Sequence, residues 1–121
     1  MATNYVQRGA KSAWTNATGA DVSSGDVVEL TNIIGVAEGD IADGETGTVC
    51  IEGVFTLPKV SAAVFAVGEK LIWDTSGGAF DDSSATPATG DITGAGIAVA
   101  AGADGETTCT VKLTPGNTAV A

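Results

Sequence analysis

The chain has 121 residues, 44% of them hydrophobic, and its 15 acidic and five basic side chains give a formal net charge of −10 at pH 7. Because nucleic acids and anionic membranes are bound through clustered cations, the scattered basic residues argue against both as partners. Neither an apolar run long enough to span a membrane nor a secretory signal is seen in the sequence, so we expect folding in a reducing cytosol.

The composition predicts an all-β protein. Glycine is frequent, with 17 residues, and Val, Ile and Thr recur while long-chain helix formers are scarce. Such a mixture is typical of short strands joined by many turns. At this length we expect a single domain, residues 1–121. In chain order, the predicted strands are 10–18, 27–31, 33–37, 47–57, 69–74, 92–101 and 107–113.

Four segments are predicted to lie outside these strands. Residues 1–9 form an N-terminal arm, and residues 115–121 form a flexible tail. The alanine-rich segment 61–66 predicts one short helical turn, which is stopped by Gly68. Residues 75–91 are rich in Ser, Thr, Gly and Asp, and we predict an unstructured loop there.

An internal repeat organises the chain. The similar segments, in the same order in both halves, are GDVVEL at 25–30 and GEKLIW at 68–73, IGVA at 34–37 and AGIA at 95–98, and DGET with its following strand at 43–51 and at 104–111. Two such units cannot each bury an apolar face alone, so we expect them to close on one another around a shared core. The predicted fold is a compact small barrel or sandwich built from two similar three-stranded units, with the choice between barrel and sandwich left open.

The sequence predicts no catalytic residue. It has no histidine, which removes Ser-His-Asp and Cys-His catalysis, and it has no phosphate-binding loop. Cys50 and Cys109 are too few for a zinc site or a disulfide scaffold. Each lies in an apolar strand, where we expect a small buried side chain, and a bridge between them is left open. We therefore predict a protein that is not an enzyme and has no cofactor, metal or small-molecule substrate.

Acidic turns and aromatic side chains are the remaining candidates for binding. Acidic turns such as 40–45 are expected to be solvated, with weak calcium binding left open. Trp73 is predicted to lie in the core, because its neighbours on the strand are apolar. Tyr5 and Arg8, near the N-terminus, favour an interface, since aromatic and arginine side chains dominate interface energetics.

Several motifs resemble the phage capsid cement, or decoration, protein family. They run from about residue 4 to residue 114, and the most specific is Gly53-Val54-Phe55-x-Leu57-Pro58-Lys59. The others are NYVQxG at 4–9, VSxGDVV at 22–28, GVA at 35–37, GxV at 47–49, GExLxWD at 68–74, GIA at 96–98 and TVxL at 110–113. Two departures are mild: Glu69 stands where aspartate is more usual, and residues 75–91 match no pattern.

The resemblance implies a structural protein of tailed bacteriophages, made in the cytoplasm of the bacterial host. Members of the family sit on the outer surface of the expanded head, join neighbouring major capsid subunits and tend to form homotrimers. Some members are labelled phage recombinases, but this sequence has neither a phosphate-binding loop nor clustered cations. The expected partner is thus the major capsid protein, and the expected location is the outer capsid surface of the virion.

Two groups of residues are predicted to contact the capsid or a neighbouring copy in the trimer. The N-terminal arm is expected to reach a neighbour and add a strand to its sheet edge. The end of the strand that carries residues 55–59 is expected to project from the surface. The predicted contact residues are Asn4, Tyr5, Val6, Gln7, Arg8, Phe55, Pro58 and Lys59. The alternative function is a β-rich binding module for carbohydrate or a host surface, which predicts a monomer or a projecting head with an aromatic-lined groove.

Overall fold

Turns rich in glycine and aspartate divide the part of the chain that the structure describes into nine short strands. The computed structural model describes residues 3–4, 9–116 and 118–121. The strands are β1 (Lys11–Thr15), β2 (Val27–Leu30), β3 (Ile33–Ala37), β4 (Thr46–Cys50), β5 (Val54–Pro58), β6 (Lys70–Asp74), β7 (Ala79–Asp81), β8 (Ile92–Ala98) and β9 (Thr108–Leu113). No helix is present in these residues, and the predicted all-β class is confirmed.

The strands form two antiparallel sheets, which are not closed into a barrel in the described part of the chain. Sheet 1 has the order β1-β4-β3-β2, and sheet 2 has the order β5-β9-β8-β6-β7. Each sheet therefore comes from one contiguous half of the chain. The architecture is a compact sandwich, which decides between the two alternatives that the sequence left open.

The internal repeat is a repeat of strand pairing. The two sheets have the same order once β1, β2, β3 and β4 are matched with β5, β6, β8 and β9, and β7 is an extra strand of the second unit. The matched residue pairs are Lys11–Cys50 with Val54–Lys112, Val28–Gly35 with Leu71–Gly96, and Ala37–Val49 with Ala98–Val111. The two predicted units are thus confirmed, with four and five strands rather than three each.

Buried valines show which residues of β4 and β9, the last strands of the two units, are equivalent. Counted from the two Asp-Gly turns, the sequence similarity would align Val49 with a residue one position before Val111, but strand pairing equates these two valines. Both are fully buried. Each lies against the glycine of the neighbouring strand, Gly35 in the first unit and Gly96 in the second, where the missing side chain leaves room for it.

The segment 47–57, predicted to be one strand, is two strands in different sheets. β4 ends at Cys50 and β5 begins at Val54. Gly53 lies between them with a φ of 125°, a conformation that residues with a side chain rarely adopt. Gly53 therefore turns the chain from sheet 1 into sheet 2.

The segment 75–91, predicted to be unstructured, contains β7. This strand pairs with β6, and it places Phe80 opposite Trp73 in the register. The two rings meet edge to face with their centroids 5.1 Å apart, an arrangement that aromatic pairs favour. Phe80 is fully buried, and Trp73 is 4% exposed, which confirms the predicted core position of the tryptophan.

Two groups of buried side chains hold the sandwich together. The smaller group belongs to the first unit and comprises Val22, Val28, Ala37, Ile41 and Val49. The larger group joins the sheets, because Ile34 and Val36 of β3 pack among side chains of sheet 2. β3 is therefore buried on both faces. A hydrogen bond from Trp73 Nε1–H to Glu29 Oε1, 3.1 Å long, adds a polar link between β6 and β2.

The segment 61–66 forms no helical turn. Ser61 and Ala62 lie in a turn, and Phe65 pairs with Gly102 as an isolated β-bridge. The apolar residues that resembled a helix are therefore held in extended pairing with the loop that follows β8.

The C-terminal residues 118–121 lie against the second unit. Ala119 forms a bridge with Ile92 and packs on the larger core group. Its N–H also donates to Oδ1 of Asn32 at 2.9 Å, which connects the C-terminus to the turn between β2 and β3. The flexibility that the sequence predicts for residues 115–121 stays a prediction.

Candidate functional site

Clusters of metal ligands are absent from the described residues: no group of three or more Cys, Asp or Glu side chains there is placed to hold a metal ion. Within the same residues, no helix has the length and hydrophobicity needed to cross a membrane. What distinguishes the molecule is its surface, which has two corners of matching backbone and opposite chemistry, and one row of lysines.

Both cysteines are free thiols, so the bridge that the sequence left open is not formed. Cys50 is half-buried on β4, and Cys109 is buried on β9. Burial raises the pKa of the Cys109 thiol to about 11, and the nearby Lys59 ammonium opposes this change only in part. The thiol donates to the Leu57 carbonyl at 3.6 Å. Cys109 is thus protonated at neutral pH and is a packing residue rather than a nucleophile.

The N-terminal contact residues fall mostly outside the described part of the chain. Asn4 lies in an exposed turn. Tyr5, Val6, Gln7 and Arg8 are not among the described residues. A contact role for all five stays a prediction.

The three predicted contact residues at the end of β5 have different environments. Phe55 is half-buried and packs against the larger core group, while Pro58 is exposed. Lys59 is only 4% exposed, and its Nζ donates to three backbone carbonyls. The acceptors are the carbonyls of Val60 at 2.9 Å, Ser61 at 3.1 Å and Glu106 at 3.3 Å. The contact role of these three residues stays a prediction, and Lys59 has in addition a role inside the fold.

Each unit has a corner built from two loop segments that are hydrogen-bonded to each other. We name them the unit-1 corner (residues 21–25 and 37–41) and the unit-2 corner (residues 64–68 and 98–102). The matched bonds are Val22 N–H to Ile41 O (2.9 Å) with Phe65 N–H to Gly102 O (3.2 Å), Ile41 N–H to Val22 O (2.8 Å) with Gly102 N–H to Phe65 O (3.0 Å), and Gly25 N–H to Ala37 O (2.8 Å) with Gly68 N–H to Ala98 O (2.7 Å). The backbones of the two corners are therefore equivalent.

The side chains exposed by these equivalent backbones have opposite chemistry. The exposed residues of the unit-1 corner include Asp21, Ser23, Ser24, Glu38 and Asp40, and the equivalent positions of the unit-2 corner hold Val64, Ala66, Val67, Val99 and Ala101. Val64, Val67 and Val99 are 58%, 66% and 38% exposed. An acidic corner and an apolar corner are thus built on the same scaffold.

Carboxylates of the unit-1 corner hold their own loops. Asp40 Oδ1 accepts from the Ser24 N–H at 2.9 Å, and Asp21 Oδ1 accepts from the Asp43 N–H at 3.0 Å. The acidic side chains of this corner, Asp21, Glu38 and Asp40, are nevertheless exposed. The unit-1 corner therefore presents concentrated negative charge to the solvent.

Acidic side chains at the rim of the unit-2 corner are also held by local hydrogen bonds. Glu69 accepts from the backbone N–H and the hydroxyl of Ser83, both at 3.0 Å, and these bonds lower the pKa of its carboxyl. Asp82 accepts from the Ser84 hydroxyl at 2.6 Å, and this bond is the main cause of its lowered pKa. The apolar corner is therefore bordered by carboxylates that are ionised at neutral pH.

A row of four side chains crosses the outer face of sheet 2. Direct pairing joins Val54 to Lys112, Lys112 to Ile97, and Ile97 to Lys70, and directly paired residues point to the same face. Val54 is 55% exposed, both lysines are exposed, and Ile97 is half-buried. Beside Lys70 lies an open depression of about 360 Å³ whose lining contains no carboxylate. We name these four residues the lysine row.

Sequence reasoning missed both corners and the lysine row. For the corners a signal exists, because aligning the two halves of the repeat sets Asp21 against Val64 and Asp40 against Ala101. For the lysine row no local signal exists. Lys70 and Lys112 are far apart in the chain, and only the register of three strands brings them to the same face.

A comparison with protein-family models agrees with the resemblance noted in the sequence. The model described as phage cement protein matches residues 6–113, a range that includes all nine strands. No curated protein and no solved structure matches the chain.

Proposed function

Since this chain belongs to the phage cement protein family, we propose that it binds the outer surface of the expanded capsid and stabilises the contacts between major capsid subunits. Membership indicates a structural role in the phage capsid. The observation that carries the proposal is the family match over residues 6–113, which takes in both units of the repeat. The surface chemistry of the second unit supports the finer statement about the capsid contact.

The proposed mechanism is passive. A mature head is under internal pressure from packed DNA, and a protein bound across the joint between two subunits adds an interface that must break before the subunits separate. We propose that the protein acts as a homotrimer, because linked copies bind a repeating lattice with higher avidity than single copies. Weak individual contacts then suffice for stable attachment.

The unit-2 corner is the proposed capsid-facing surface. Val64, Val67 and Val99 expose apolar area there, and carboxylates such as those of Glu69 and Asp82 border it. An apolar centre with a polar rim is typical of protein interfaces. Soluble proteins rarely expose clustered apolar side chains without a function, and the unit-1 corner indicates that the fold itself does not require them.

The contacts predicted from the sequence are proposed in addition to the unit-2 corner. Residues 4–8 are proposed to add a strand to the sheet edge of a neighbouring subunit. Phe55 and Pro58 of β5 are proposed to contact the partner, with Pro58 exposed and Phe55 half-buried. Lys59 follows this strand, and its proposed contribution is to fix the loop after β5.

Co-sedimentation with undecorated expanded heads of the phage tests this function. We expect saturable binding of the wild-type protein. Val67→Asp should weaken binding about tenfold or more, because it places an unpaired charge in the apolar centre of the contact. The matched control is Ser24→Asp, which introduces the same side chain at the equivalent, exposed position of the unit-1 corner and should bind like the wild type.

The proposed function, the unit-2 corner contact and the N-terminal arm can each be contradicted by a different result. Wild-type protein that stays in the supernatant would overturn the proposed function, and a monomer that ignores the heads but binds glycans would favour the carbohydrate-binding alternative. Equal binding by Val67→Asp and Ser24→Asp would exclude the unit-2 corner as the capsid contact. Full occupancy after deletion of residues 2–8 would exclude the strand-adding arm.

A further inference from the structure

The two lysines of the lysine row are unusual among the basic side chains of the protein. Lys11 pairs with Glu38 at 2.8 Å, Lys59 is buried, and Arg8 lies outside the described residues. Lys70 and Lys112 are exposed, and no carboxylate of the described residues lies within ion-pair distance of either. Among the described residues, the exposed basic side chains that have no carboxylate within ion-pair distance thus lie on one face of sheet 2.

The apolar members of the lysine row make that face more than a solubilising surface. Val54 lies at one end and Ile97 lies between the two lysines, so aliphatic area alternates with positive charge across four strands. Lysine stems cover apolar neighbours while their ammonium groups stay in water. A surface of this kind fits a partner that presents carboxylates around a small apolar or backbone patch.

The unit-1 corner of the same protein has the complementary chemistry. Asp21 and Asp40 are exposed there on two joined loops, around glycine and serine residues that leave the backbone open to approach, while Glu38 is already paired with Lys11. With a formal net charge of −10, two copies repel unless their contact brings opposite charges together. The lysine row and the unit-1 corner provide such a contact.

We infer that the lysine row of one copy docks on the unit-1 corner of a second copy. The two surfaces belong to different sheets, so the contact is head to tail rather than between identical patches. When two copies meet head to tail, one copy keeps an unused unit-1 corner and the other keeps an unused lysine row. A closed ring uses every surface of both kinds. The inference rests on the proposed function in one respect: it names the surfaces that would join the proposed trimer.

The exposed apolar residues of the unit-2 corner, Val64, Val67 and Val99, belong to neither docking surface. The lysine row borders that corner, because Lys70 lies two residues after Gly68 and Ile97 lies one residue before Ala98. One copy thus has a surface for its neighbour beside a separate surface for the capsid.

The experiment measures the oligomeric state of the purified full chain without heads. Wild-type protein is followed by analytical ultracentrifugation and native mass spectrometry from about 0.05 to about 0.5 M NaCl, because salt screens contacts between exposed charges. We expect an oligomer at low salt that dissociates at high salt. Lys70→Glu combined with Lys112→Glu should raise the dissociation constant about tenfold or more.

A charge exchange distinguishes direct pairing from a general change in charge. Asp21→Lys combined with Asp40→Lys should also weaken association, and placing all four substitutions in one chain should restore it. Net charge is controlled by comparing Lys70→Gln combined with Lys112→Gln, which should weaken association, with Ala62→Glu combined with Thr107→Glu, because both doubles change the formal charge by the same amount. The glutamate double, at exposed loop positions that belong to neither surface, should associate like the wild type.

The outcomes separate this inference from the proposed function. A wild-type protein that is monomeric at every salt concentration, or an oligomer that none of the charge variants weakens, would overturn the inference. Oligomers unchanged by Lys70→Glu with Lys112→Glu, together with loss of binding to heads, would assign the lysine row to the capsid instead and overturn the second copy as its partner. Salt-sensitive oligomers that fail to bind heads would overturn the proposed function alone.

Discussion

Asn16 and Lys59 hold equivalent positions in the two units, each directly after the first strand, and each buries a polar side chain under the loop that follows. Asn16 Nδ2–H donates to the carbonyls of Ala20 at 2.8 Å and Ile41 at 2.9 Å. Lys59 does the same for three carbonyls of its own unit. Carbonyls of irregular loops need donors from outside the strand ladders, and each unit supplies a side-chain donor from the same place with different chemistry.

Removing the ammonium of Lys59 should destabilise the fold. Lys59→Met keeps a similar length of apolar chain but removes the charged donor that three carbonyls share, so we expect the free energy of unfolding to fall by about 1–3 kcal/mol. Urea denaturation measures the change. The control is Lys11→Met, which removes an exposed ion pair and should change the stability little. A Lys59→Met protein of wild-type stability that no longer binds heads would make Lys59 a contact residue instead.

The close approach of β8 to β9 predicts a graded response to single methyl groups. A methyl group on Gly96 would overlap Cγ1 of Val111, whereas one on Gly35 would lie 3.1 Å from Cγ2 of Val49. We expect Gly96→Ala to lower the stability by about 1–3 kcal/mol and Gly35→Ala to lower it less, because overpacking a filled core forces atoms apart. Gly39→Ala, which meets nothing within 4 Å, is the control. Equal thermal melting of Gly96→Ala and Gly39→Ala would show that β9 shifts freely.

Glu69 should make part of the stability depend on acid pH. Hydrogen bonds from Ser83 lower the pKa of the Glu69 carboxyl below its ordinary value of 4.5. The folded value thus lies below the unfolded one, so the stabilisation is present above about pH 4.5 and disappears as the pH falls through the folded pKa. The difference in melting temperature between the wild type and Glu69→Gln should therefore be larger at pH 7 than at pH 3. Glu52→Gln controls for the loss of one exposed charge, and a difference that is constant with pH would contradict the hydrogen-bond explanation.

The two thiols should differ in reactivity. Burial holds the pKa of Cys109 at about 11, so roughly one molecule in a thousand carries the thiolate at pH 8. Cys50 is half-buried and nearer to solvent. Iodoacetamide followed by mass spectrometry should label Cys50 in the native protein and Cys109 only on unfolding. Rapid labelling of the Cys50→Ser protein under native conditions would show that β9 opens easily.

The sequence predicted the repeated strands because glycine-led turns and apolar alternation are local signals. It missed β7 because three residues are too short to show alternation, and Phe80 is the lone large apolar side chain among Ser, Gly and Asp neighbours. The position of Phe80 is decided by its pairing with Trp73 on another strand. Local composition carries no trace of that contact.

The position of Lys59 shows a second limit of sequence reasoning. A lysine after a proline at the end of a strand suggests a projecting side chain, yet the structure buries it because carbonyls from two separate loops converge on its Nζ. The chemical difference between the two corners is likewise invisible in either segment alone. It is found only when the equivalent positions of the two units are compared.

Duplication of one scaffold gives the protein two surfaces of equivalent backbone and different chemistry. The exposed side chains of both corners lie outside the two core groups, so substitutions there leave the packing of the sandwich in place. Each corner can therefore diverge in sequence to suit its own binding partner while the folding instructions, held in the interior, stay constant.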